Sequence, residues 1–410
     1  MTELSPQPEP FPHPDPHPSP QPEPFPSSER PPSAPHGIPR RRPAERTKAS
    51  AADSRVHNRT LVLSTLYHQG AMSRSEIARA VGLTAPTVSA LVADLEGDGL
   101  LADIGPRKGN RLGKPANLMA IDDDAAHVLA LDLSNVGQFE GAVLNLRGKV
   151  VARARTSYAD AVGEDAAARV TQLVAELAEL APGRVLGIGV ASPGIVGDDG
   201  VIHLAGHLGW RELPLAARLS ERFGVPVHVG NDVNVAALAV LHFREAKTQN
   251  LMVITIEHGV GAGLVVGGEL VEGEQFAAGE IGHVTVFEDG EPCACGHRGC
   301  LEPLIDAAEL RVRLTGRDAA GRADVLAAAG RALGTVLAPI SSVLNLNEIV
   351  LLGPPDLVEG PFVESAAATV RARTFAPISA ALTMRSLAGD SDLILLGAAC
   401  LVLSGELGVW

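Results

Sequence analysis

The chain has 410 residues, a length that favours two to four domains, and its 46% hydrophobic content is enough to bury a core. No run of about 18 apolar residues and no apolar leader is visible, and four cysteines are too few for a disulfide scaffold. We therefore expect a cytoplasmic protein with no membrane partner. The net charge of −14 is uneven: residues 40–119 carry +6 and residues 120–410 carry −16. This split predicts a small basic module ahead of a large acidic one.

Residues 1–50 are predicted to form a disordered tail. Sixteen of the 30 prolines lie in residues 1–43, and the segment 6–12 recurs unchanged at 20–26. Alternating prolines remove amide donors and favour an extended, solvated chain. The tail ends in a basic arm that would add phosphate contacts if the next module binds DNA. The arm consists of Arg40, Arg41, Arg42, Arg46 and Lys48.

Residues 54–121 are predicted to form a winged helix-turn-helix. Apolar residues at helical spacing indicate a first helix at 58–67. Ser73 and Glu76 have the spacing of a capping box at the start of a second helix. Thr84 is placed to cap the third helix, in which Pro86 occupies the first turn. Two short strands then follow, at 100–104 and 116–121.

The same unit carries residue types suited to double-stranded operator DNA. The second helix of a helix-turn-helix pair enters the major groove, where hydroxyl and methyl groups reach base edges and phosphates. Here those side chains are Thr84, Ala85, Thr87 and Ser89, with Ala90 as a further candidate. The basic loop between the two strands would contact phosphates or the minor groove. Its cations are Arg107, Lys108, Arg111 and Lys114. The alternative is a protein-interaction unit with the same packing.

Residues 125–410 alternate strand and helix patterns, which predicts α/β architecture in two lobes with a ligand cleft between them. The predicted strands are 128–133, 141–146, 150–154, 185–190, 225–229, 251–256, 263–266 and 349–352. The predicted helices are 166–180, 233–243 and 323–344.

Three cysteines within eight residues predict a metal site. Thiolate and imidazole ligands suit a closed, tetrahedral Zn²⁺. The predicted ligands are His283, Cys293, Cys295 and Cys300. His297 is an alternative fourth ligand. We predict one structural Zn²⁺ per chain, which would fix the loop that carries Glu280 and Glu302.

Polar and glycine-rich segments follow two of the predicted strands. Asn231 and Asp232 come directly after the strand at 225–229, and ligands in α/β proteins bind beyond the carboxyl ends of strands. Such a pair can hold vicinal hydroxyls, and the aspartate can act as a general base, although the pair is equally suited to cap the next helix. The glycine-rich stretch 259–263 is compatible with a phosphate loop or with a glycine turn.

Seven motifs follow one another along residues 125–410. They are Asp132-Leu133, Ser192-Pro193-Gly194-Ile195-Val196, Gly209-Trp210, Asn231-Asp232-Val233-Asn234, Gly259-Val260-Gly261-Ala262-Gly263, Gly279-Glu280-Ile281-Gly282-His283 and Cys293-x-Cys295-Gly-x-x-Gly-Cys300-Leu301-Glu302. In this order they resemble the ROK family (repressors, open reading frames and sugar kinases). With residues 54–121 ahead of them, the ordered chain resembles the family's transcriptional regulators. The resemblance implies a two-lobed, actin-like ATPase fold (ribonuclease-H-like) with a sugar or sugar derivative in the cleft.

The resemblance also implies which residues contact the sugar. Carried over position by position, they are Asn231, Asp232, Glu280, His283 and Glu302. One ring nitrogen of His283 would bind zinc and the other a sugar hydroxyl. In kinase members, the residue that matches Asp232 deprotonates the sugar hydroxyl.

Both phosphate loops of the family's kinases are altered in this sequence. The family's Asp-x-Gly-x-Thr has Ser134 for glycine and Val136 for threonine, and its Gly-Thr-Gly reads Glu257-His258-Gly259. A Cβ at Ser134 obstructs close approach of a phosphate, and Glu257 repels one. His207 stands where members often have Asn, so the resemblance does not identify the sugar.

These features predict a sugar-responsive transcriptional regulator, most often a repressor in this family, and not an enzyme. It would bind a pseudo-palindromic operator as a homodimer or homotetramer. Two alternatives stay open. One is a sugar kinase that retains a DNA-binding domain and uses Asp232 as its base. The other is a zinc-containing sugar-binding protein that does not bind DNA.

Overall fold

A computed structural model describes residues 51–107, 116–244, 246, 248–387 and 389–410. Residues 53–410 form one compact unit. The tail predicted at 1–50 lies outside the described residues, and so do three of the four predicted wing cations, Lys108, Arg111 and Lys114.

The first part of the described chain is a helix-turn-helix with wing strands. Its elements are α1 (Ala51–Gln69), β1 (Met72–Ser73), α2 (Arg74–Val81), α3 (Ala85–Gly97), β2 (Leu101–Pro106) and β3 (Asn117–Ile121). The predicted capping box is confirmed: the Glu76 amide donates to Ser73 Oγ at 3.3 Å, and the Ser73 amide donates to Glu76 Oε2 at 2.9 Å. Thr84 caps α3 as predicted. Helix α1 is longer than the predicted 58–67 because its first turns are polar and carry no apolar periodicity.

The first lobe contains a five-stranded mixed sheet. Its elements are β4 (His127–Asp132), β5 (Gln138–Asn145), β6 (Val150–Ser157), α4 (Glu164–Leu180), β7 (Val185–Ser192), β8 (Ile195–Val196), β9 (Ile202–Ala205), β10 (Trp210–Leu213), α5 (Leu215–Phe223), β11 (Val227–Asn231) and α6 (Asp232–Phe243). The strand order is β11-β7-β4-β5-β6, in which β4, β7 and β11 are parallel and β5 and β6 antiparallel. Strands β8, β9 and β10 form a small separate sheet.

The second lobe repeats this arrangement. Its elements are β12 (Leu251–Ile256), β13 (Val260–Val266), β14 (Glu269–Leu270), α7 (Glu302–Ile305), α8 (Ala307–Leu314), α9 (Ala319–Leu344), β15 (Glu348–Leu352), α10 (Pro355–Val358), α11 (Pro361–Arg373), α12 (Ala376–Ala381), β16 (Thr383–Ser386) and α13 (Leu393–Val402). The order is β14-β13-β12-β15-β16, again with three parallel strands and two antiparallel ones. Two mixed sheets of matching order confirm the predicted α/β class and the two-lobed, actin-like architecture.

Three apolar clusters divide the molecule into layers. One joins the outer face of the first sheet to α4 and α5, and another joins the outer face of the second sheet to α8, α9 and α11. The central cluster contains α6 and α13, which lie between the sheets, and it continues into α1, α2 and α3. The helix-turn-helix therefore shares its core with the central helices of the lobes.

The glycine-rich stretch 259–263 is mostly strand, which corrects the prediction of a loop. Only residues 257–259 turn between β12 and β13, and Gly261 and Gly263 lie inside β13. A Cβ at Gly263 would lie 2.4 Å from the Val233 carbonyl oxygen of α6. Glycine is thus required there because a helix packs closely against the strand.

Helix α9 is long and apolar enough to cross a bilayer, judged by length and composition. It packs against α11, and 56% of its most apolar window is buried inside the protein. Core helices pass the same test of length and composition.

Candidate ligand cleft and metal centre

A cavity of about 550 Å³ lies where the carboxyl ends of the parallel strands from both sheets meet. Asp132 ends β4, Asn231 ends β11, and Gly353 follows β15, and all three line it. This is the place where α/β proteins bind ligands. Of the five residues predicted to contact sugar, Asn231, Asp232, Glu280 and Glu302 line the cavity, and the fifth, His283, lies beside it.

Carboxylates dominate the wall of this cavity. They belong to Asp132, Glu140, Asp232, Glu257, Glu280, Glu302 and Asp390. Within the described part of the chain, no Lys or Arg side chain lines it. The arrangement suits a neutral, hydroxyl-rich ligand, because each carboxylate oxygen accepts hydrogen bonds from hydroxyl groups. A polyphosphate would instead be repelled by these carboxylates, of which only Glu140 and Asp390 are paired with arginines among the described residues.

Asn231 both caps α6 and holds Asp232. Its Oδ1 accepts hydrogen bonds from the amides of Val233 and Asn234, each at 3.0 Å. Its Nδ2 donates to the Gly194 carbonyl at 2.9 Å and to Asp232 Oδ1 at 3.0 Å. The capping role weighed in the sequence analysis is therefore confirmed for Asn231. The amide fixes the carboxylate of Asp232 within the cavity.

Asp232 and Asp132 have perturbed acidities. Burial, with Asp132 as the nearest like charge, raises the pKa of Asp232 to about 7. Burial also raises the pKa of Asp132 to about 6, against hydrogen bonds from the Ser134 amide and hydroxyl. An acid that titrates near neutrality is suited to exchange a proton with a hydroxyl group.

Glu302 is held by the turn between β12 and β13. Its Oε2 accepts the Val260 amide at 3.2 Å. The same oxygen lies 3.3 Å from the Cβ positions that would exist at Gly259 and Gly282, so side chains there would crowd it. Burial raises the pKa of Glu280, the charge of His283 opposes this rise, and the charge of Glu302 adds to it. Both glutamates line the cavity.

His283 connects the cavity to the cysteine cluster. Its Nε2 lies 3.9 Å from Glu280 Oε2, and its Nδ1 lies 3.6 Å from Cys293 Sγ. One ring nitrogen is thus directed to the cavity wall and the other to the thiols. This is the geometry expected of a shared metal and sugar ligand.

The cysteine cluster fits a tetrahedral metal ion. The ligand atoms of His283, Cys293, Cys295 and Cys300 all lie within 4.8 Å of one another. The Sγ atoms of Cys295 and Cys300 are 3.7 Å apart. Tetrahedral Zn²⁺ with bonds to sulfur of about 2.3 Å would set neighbouring sulfurs about 3.8 Å apart. The donor set and its spacing are consistent with zinc. His297 Nδ1 lies 3.6 Å from Cys295 Sγ but is not part of the four-residue cluster.

The first turn of α3 is open to solvent. Thr84, Ala85 and Ser89 are exposed, and Thr87 is partly buried. The hydroxyls of Thr84 and Thr87 are 2.8 Å apart and share a hydrogen bond. Arg107 is exposed and pairs with Glu76 at 2.9 Å. The start of α3 and the described end of the wing strand β2 therefore both present polar side chains to solvent.

Sequence reasoning missed two acids of the cavity. Glu140 pairs in register with Asp132 across β4 and β5, so the hairpin register was the signal that could have found it. Asp390 Oδ2 accepts a hydrogen bond from Arg244 Nε at 2.5 Å. The two residues are 146 positions apart in the sequence, so no local pattern indicates this contact.

Comparison with known proteins agrees with this architecture. The ROK family model matches residues 130–404, and the MarR family model matches residues 57–102. A xylose repressor from Caldicellulosiruptor bescii is 31% identical over 255 residues, which are 60% of this chain and 62% of that protein. A glucokinase from Halalkalibacterium halodurans is 43% identical over 126 residues, 30% of this chain and 38% of that protein. The chain thus spans less than two thirds of these curated relatives.

A solved structure shows the same fold over most of the chain. It is a ROK family transcriptional regulator described as a homologue of the Escherichia coli MLC protein, with a TM-score of 0.77 and 22% sequence identity. The match covers 87% of this chain and 98% of that one. Because the ROK family model spans well over half of its residues, the chain belongs to the ROK family.

Proposed function

We propose that this protein is a cytoplasmic, sugar-responsive transcriptional repressor. Residues 54–121 would bind operator DNA, and residues 125–410 would bind a sugar or sugar derivative. One observation carries the proposal. Helix α3, whose first turn is exposed, and helix α6, which begins in the acid-lined cavity, pack into the same central apolar cluster of one compact unit. The similarity to xylose repressors supports it.

Sugar recognition rests on the acids of the cavity. Asp232, Glu280 and Glu302 would accept hydrogen bonds from vicinal hydroxyls, with His283 as a further contact. Asn231 would act mainly by holding Asp232, since its amide already makes four hydrogen bonds. When zinc is bound, it would supply structural cross-linking of the loop that carries these residues and would undergo no redox change.

Sugar binding would control DNA binding through the central helices. Helix α6 begins at Asp232 in the cavity, and its last turn stacks His242 on Trp410, with ring centroids 4.5 Å apart. Trp410 in turn packs edge-on against Tyr67 of α1 at 5.3 Å. A sugar that binds one lobe arrangement more tightly would shift the position of α1 in each subunit of a dimer or tetramer.

The test is operator binding with and without sugar. Fluorescence anisotropy on a duplex selected from random DNA would be measured with D-xylose, D-glucose and N-acetylglucosamine. We expect one sugar to change the operator Kd at least fivefold. Glu302→Gln should abolish this change while operator affinity without sugar stays within twofold. Glu309→Gln, an exposed glutamate on α8, is the matched control. A protein that binds sugar but no duplex would refute the proposal.

DNA contact by the wing has its own signature. Replacing Arg107, Lys108, Arg111 and Lys114 together with alanine should weaken DNA binding for all sequences. It should also lower the salt slope by up to about 0.9 for each phosphate that the wing no longer neutralises. Ser89→Ala should instead alter sequence preference, because the hydroxyl of Ser89 on α3 would contact a base edge. An unchanged salt slope would contradict the wing assignment.

Sugar kinase activity is the second candidate. Asp232, with a pKa of about 7 in the cavity, and the 43% identity to a glucokinase segment favour it. Ser134 and Glu257 in the cavity wall weigh against nucleotide binding. Incubation with ATP and Mg²⁺ and a hexose panel decides between the two. Turnover that Asp232→Asn removes would establish the kinase.

A further inference from the structure

The acid-lined cavity is larger than a single sugar ring needs. Its volume is about 550 Å³. One pyranose ring fills on the order of 200 Å³ at the packing density of protein interiors. The three acids proposed to hold a sugar are only part of its lining. More than half of the space is therefore left over when one ring is bound.

The carboxylates of the cavity continue beyond the proposed sugar contacts. Burial raises the pKa of Asp232, and the charges of Asp132 and Glu280 add to the rise. Burial likewise raises the pKa of Asp132, to which the charges of Glu140 and Glu257 add. Glu140 also pairs in register with Asp132 across β4 and β5. Asp132 thus joins the proposed sugar contacts to a second group of acids. We call the part of the cavity beyond Asp232 the distal half, and it is lined by Asp132, Ser134, Glu140, Glu257, Asp390 and Ser391.

Hydrogen bonds from two arginines hold the acids of the distal half in place. Arg153 donates to Glu140 Oε1 at 3.2 Å and to Asp392 Oδ1 at 2.5 Å, which ties the segment around residue 390 to the first sheet. Arg244 donates to both carboxylate oxygens of Asp390, at 2.5 and 3.1 Å. Acceptors that are already positioned bind a ligand with little loss of side-chain entropy.

The polar groups of the distal half suit hydroxyl groups better than phosphates. The amide and the hydroxyl of Ser134 both donate to Asp132 Oδ1, at 2.9 and 2.6 Å, so they are already engaged with a carboxylate. No Lys or Arg of the described chain lines the cavity. Hydroxyl groups donate to carboxylates, whereas phosphates are repelled by them.

The distal half also offers apolar surface. The segment that carries Asp390 and Ser391 is flanked by three further lining residues, Leu387, Leu393 and Ile394. A pyranose ring has hydroxyl groups around its rim and C–H groups on its faces, and the C–H groups bury apolar area against such side chains. A nucleobase would suit the same surface, but the phosphates of a nucleotide would then lie among the acids.

We propose that the effector is a neutral disaccharide, with one ring at the proposed sugar contacts and the second ring in the distal half. The inference rests on the proposed function, because it takes this cavity as the effector site. The second ring donates hydroxyl groups to Glu257 and Asp390 and packs a C–H face against Leu393 and Ile394. The class of effector is thus the product of partial hydrolysis of a polysaccharide.

Calorimetric titration of the full chain tests the proposal with D-glucose, maltose and cellobiose, and with D-xylose and xylobiose. We expect one disaccharide to bind with a Kd at least tenfold lower than that of its constituent monosaccharide. A monosaccharide that binds as tightly as every disaccharide would overturn the proposal and leave the sugar-responsive function standing. Failure of all five sugars to bind would overturn both.

Two variants locate the second ring. The measured quantity is the ratio of the monosaccharide Kd to the disaccharide Kd. Ser391→Trp, which puts an indole into the distal half, should lower this ratio at least tenfold, and Glu257→Gln should lower it at least fivefold. Glu309→Gln, an exposed glutamate on α8, is the matched control and should keep the wild-type ratio. An unchanged ratio in Glu257→Gln and Ser391→Trp would place the second ring elsewhere and overturn the proposal.

Competition with a nucleotide separates the two occupants that the distal half could hold. An excess of a non-hydrolysable ATP analogue with Mg²⁺ should leave the disaccharide Kd within twofold of its value without nucleotide. A disaccharide Kd raised at least tenfold by the analogue would identify the distal half as a nucleotide site and overturn the proposal.

Discussion

Asp232 illustrates how a carboxyl group buried in the wall of the candidate cleft affects stability. It lies at the start of α6, where helix amides favour a negative charge, and the Val233 amide donates to it at 3.0 Å. Burial and the neighbouring Asp132 outweigh these contacts and raise its pKa to about 7. The charged form of Asp232 is thus unfavourable in the folded protein, and a hydrogen bond from a bound hydroxyl group would stabilise it.

The raised pKa of Asp232 predicts that the free energy of unfolding depends on pH. The Asp232 carboxyl titrates near 3.8 when unfolded and near 7 when folded, so the folded state retains a proton that the unfolded state releases. The resulting stabilisation is complete below about pH 4 and is lost as the pH rises through 7. Asp232→Asn removes the titration. Between pH 4.5 and 8, the wild type should lose on the order of 1–3 kcal/mol more unfolding free energy in urea than the variant. Asp160→Asn, an exposed aspartate, should follow the wild type; if Asp232→Asn does so too, the carboxyl titrates normally.

Gly279 sets the position of Glu280. Its φ is +101°, and a Cβ there would lie 1.8 Å from the Ala262 carbonyl oxygen of β13. Gly279→Ala must therefore shift the segment that carries Glu280 and His283. We expect a loss of about 2–4 kcal/mol in unfolding free energy and at least tenfold weaker sugar binding. Gly183→Ala, which has open space around its Cβ, is the control. It should change neither the unfolding free energy, measured by urea titration, nor sugar affinity, measured by calorimetry.

Single residues were predictable where their role is local. Ser73, Glu76 and Thr84 follow capping rules that act within four residues, and the structure confirms them. Asn234 stands out in the sequence only as part of a motif. That its Oδ1 is buried without a partner among the described residues is a result of tertiary packing, which no pattern within α6 indicates.

At the scale of elements, the loop between β14 and α7 carries the candidate metal ligands Cys293, Cys295 and Cys300. Its contacts include isolated bridges, Thr285 with Cys300 and Pro292 with Arg298, and few apolar side chains. A segment with so little buried area gains order from a cross-link. A metal ion held by the four-residue cluster would provide one.

Loss of a thiol should therefore affect the proposed sugar site. Cys293→Ser is expected to lower metal content from about one Zn per chain to below about 0.2 by mass spectrometry and to weaken sugar binding at least tenfold. Operator binding without sugar should change less than twofold, since the central cluster into which the helix-turn-helix packs contains none of the four predicted zinc ligands. Cys400→Ala, a buried thiol of α13 outside the cluster, should retain its zinc. Retained sugar affinity in a zinc-free protein would contradict the structural role of the metal.

Elements were predictable where burial is uniform. Strand β12 has the predicted bounds, and all of β4 is buried, so a continuous apolar run marked it. The glycine-rich stretch 259–263 was misinterpreted because glycine signals both turns and close packing. What distinguishes a turn from close packing here is the contact between Gly263 of β13 and the Val233 carbonyl of α6. This is a tertiary contact, so the local sequence does not indicate it.

At the scale of the molecule, the helix-turn-helix is tied to the first lobe by a few specific contacts. Tyr67 donates to the Leu146 carbonyl at 2.9 Å, and Arg147 lies 4.4 Å over the Tyr67 ring. His68 lies 2.7 Å from the Val409 carbonyl oxygen. The sequence predicted both units and their order, but these contacts join residues up to 341 positions apart and could not be predicted from it.

The position of Trp410 predicts that removal of its ring will weaken the effect of sugar on operator affinity, while sugar binding and operator binding themselves persist. The indole contacts His242 at the end of α6 and Tyr67 of α1, so it links the helix that begins in the acid-lined cavity to the helix-turn-helix. In Trp410→Ala, sugar affinity and operator affinity without sugar should each stay within about threefold of wild type. The change in operator Kd caused by sugar should fall by at least fivefold, a loss of about 1 kcal/mol of coupling free energy. Phe375→Ala, 73% exposed and away from these contacts, should leave the coupling intact. Anisotropy titrations with and without sugar measure all three quantities, and full coupling in Trp410→Ala would mean that the signal reaches α1 by another route.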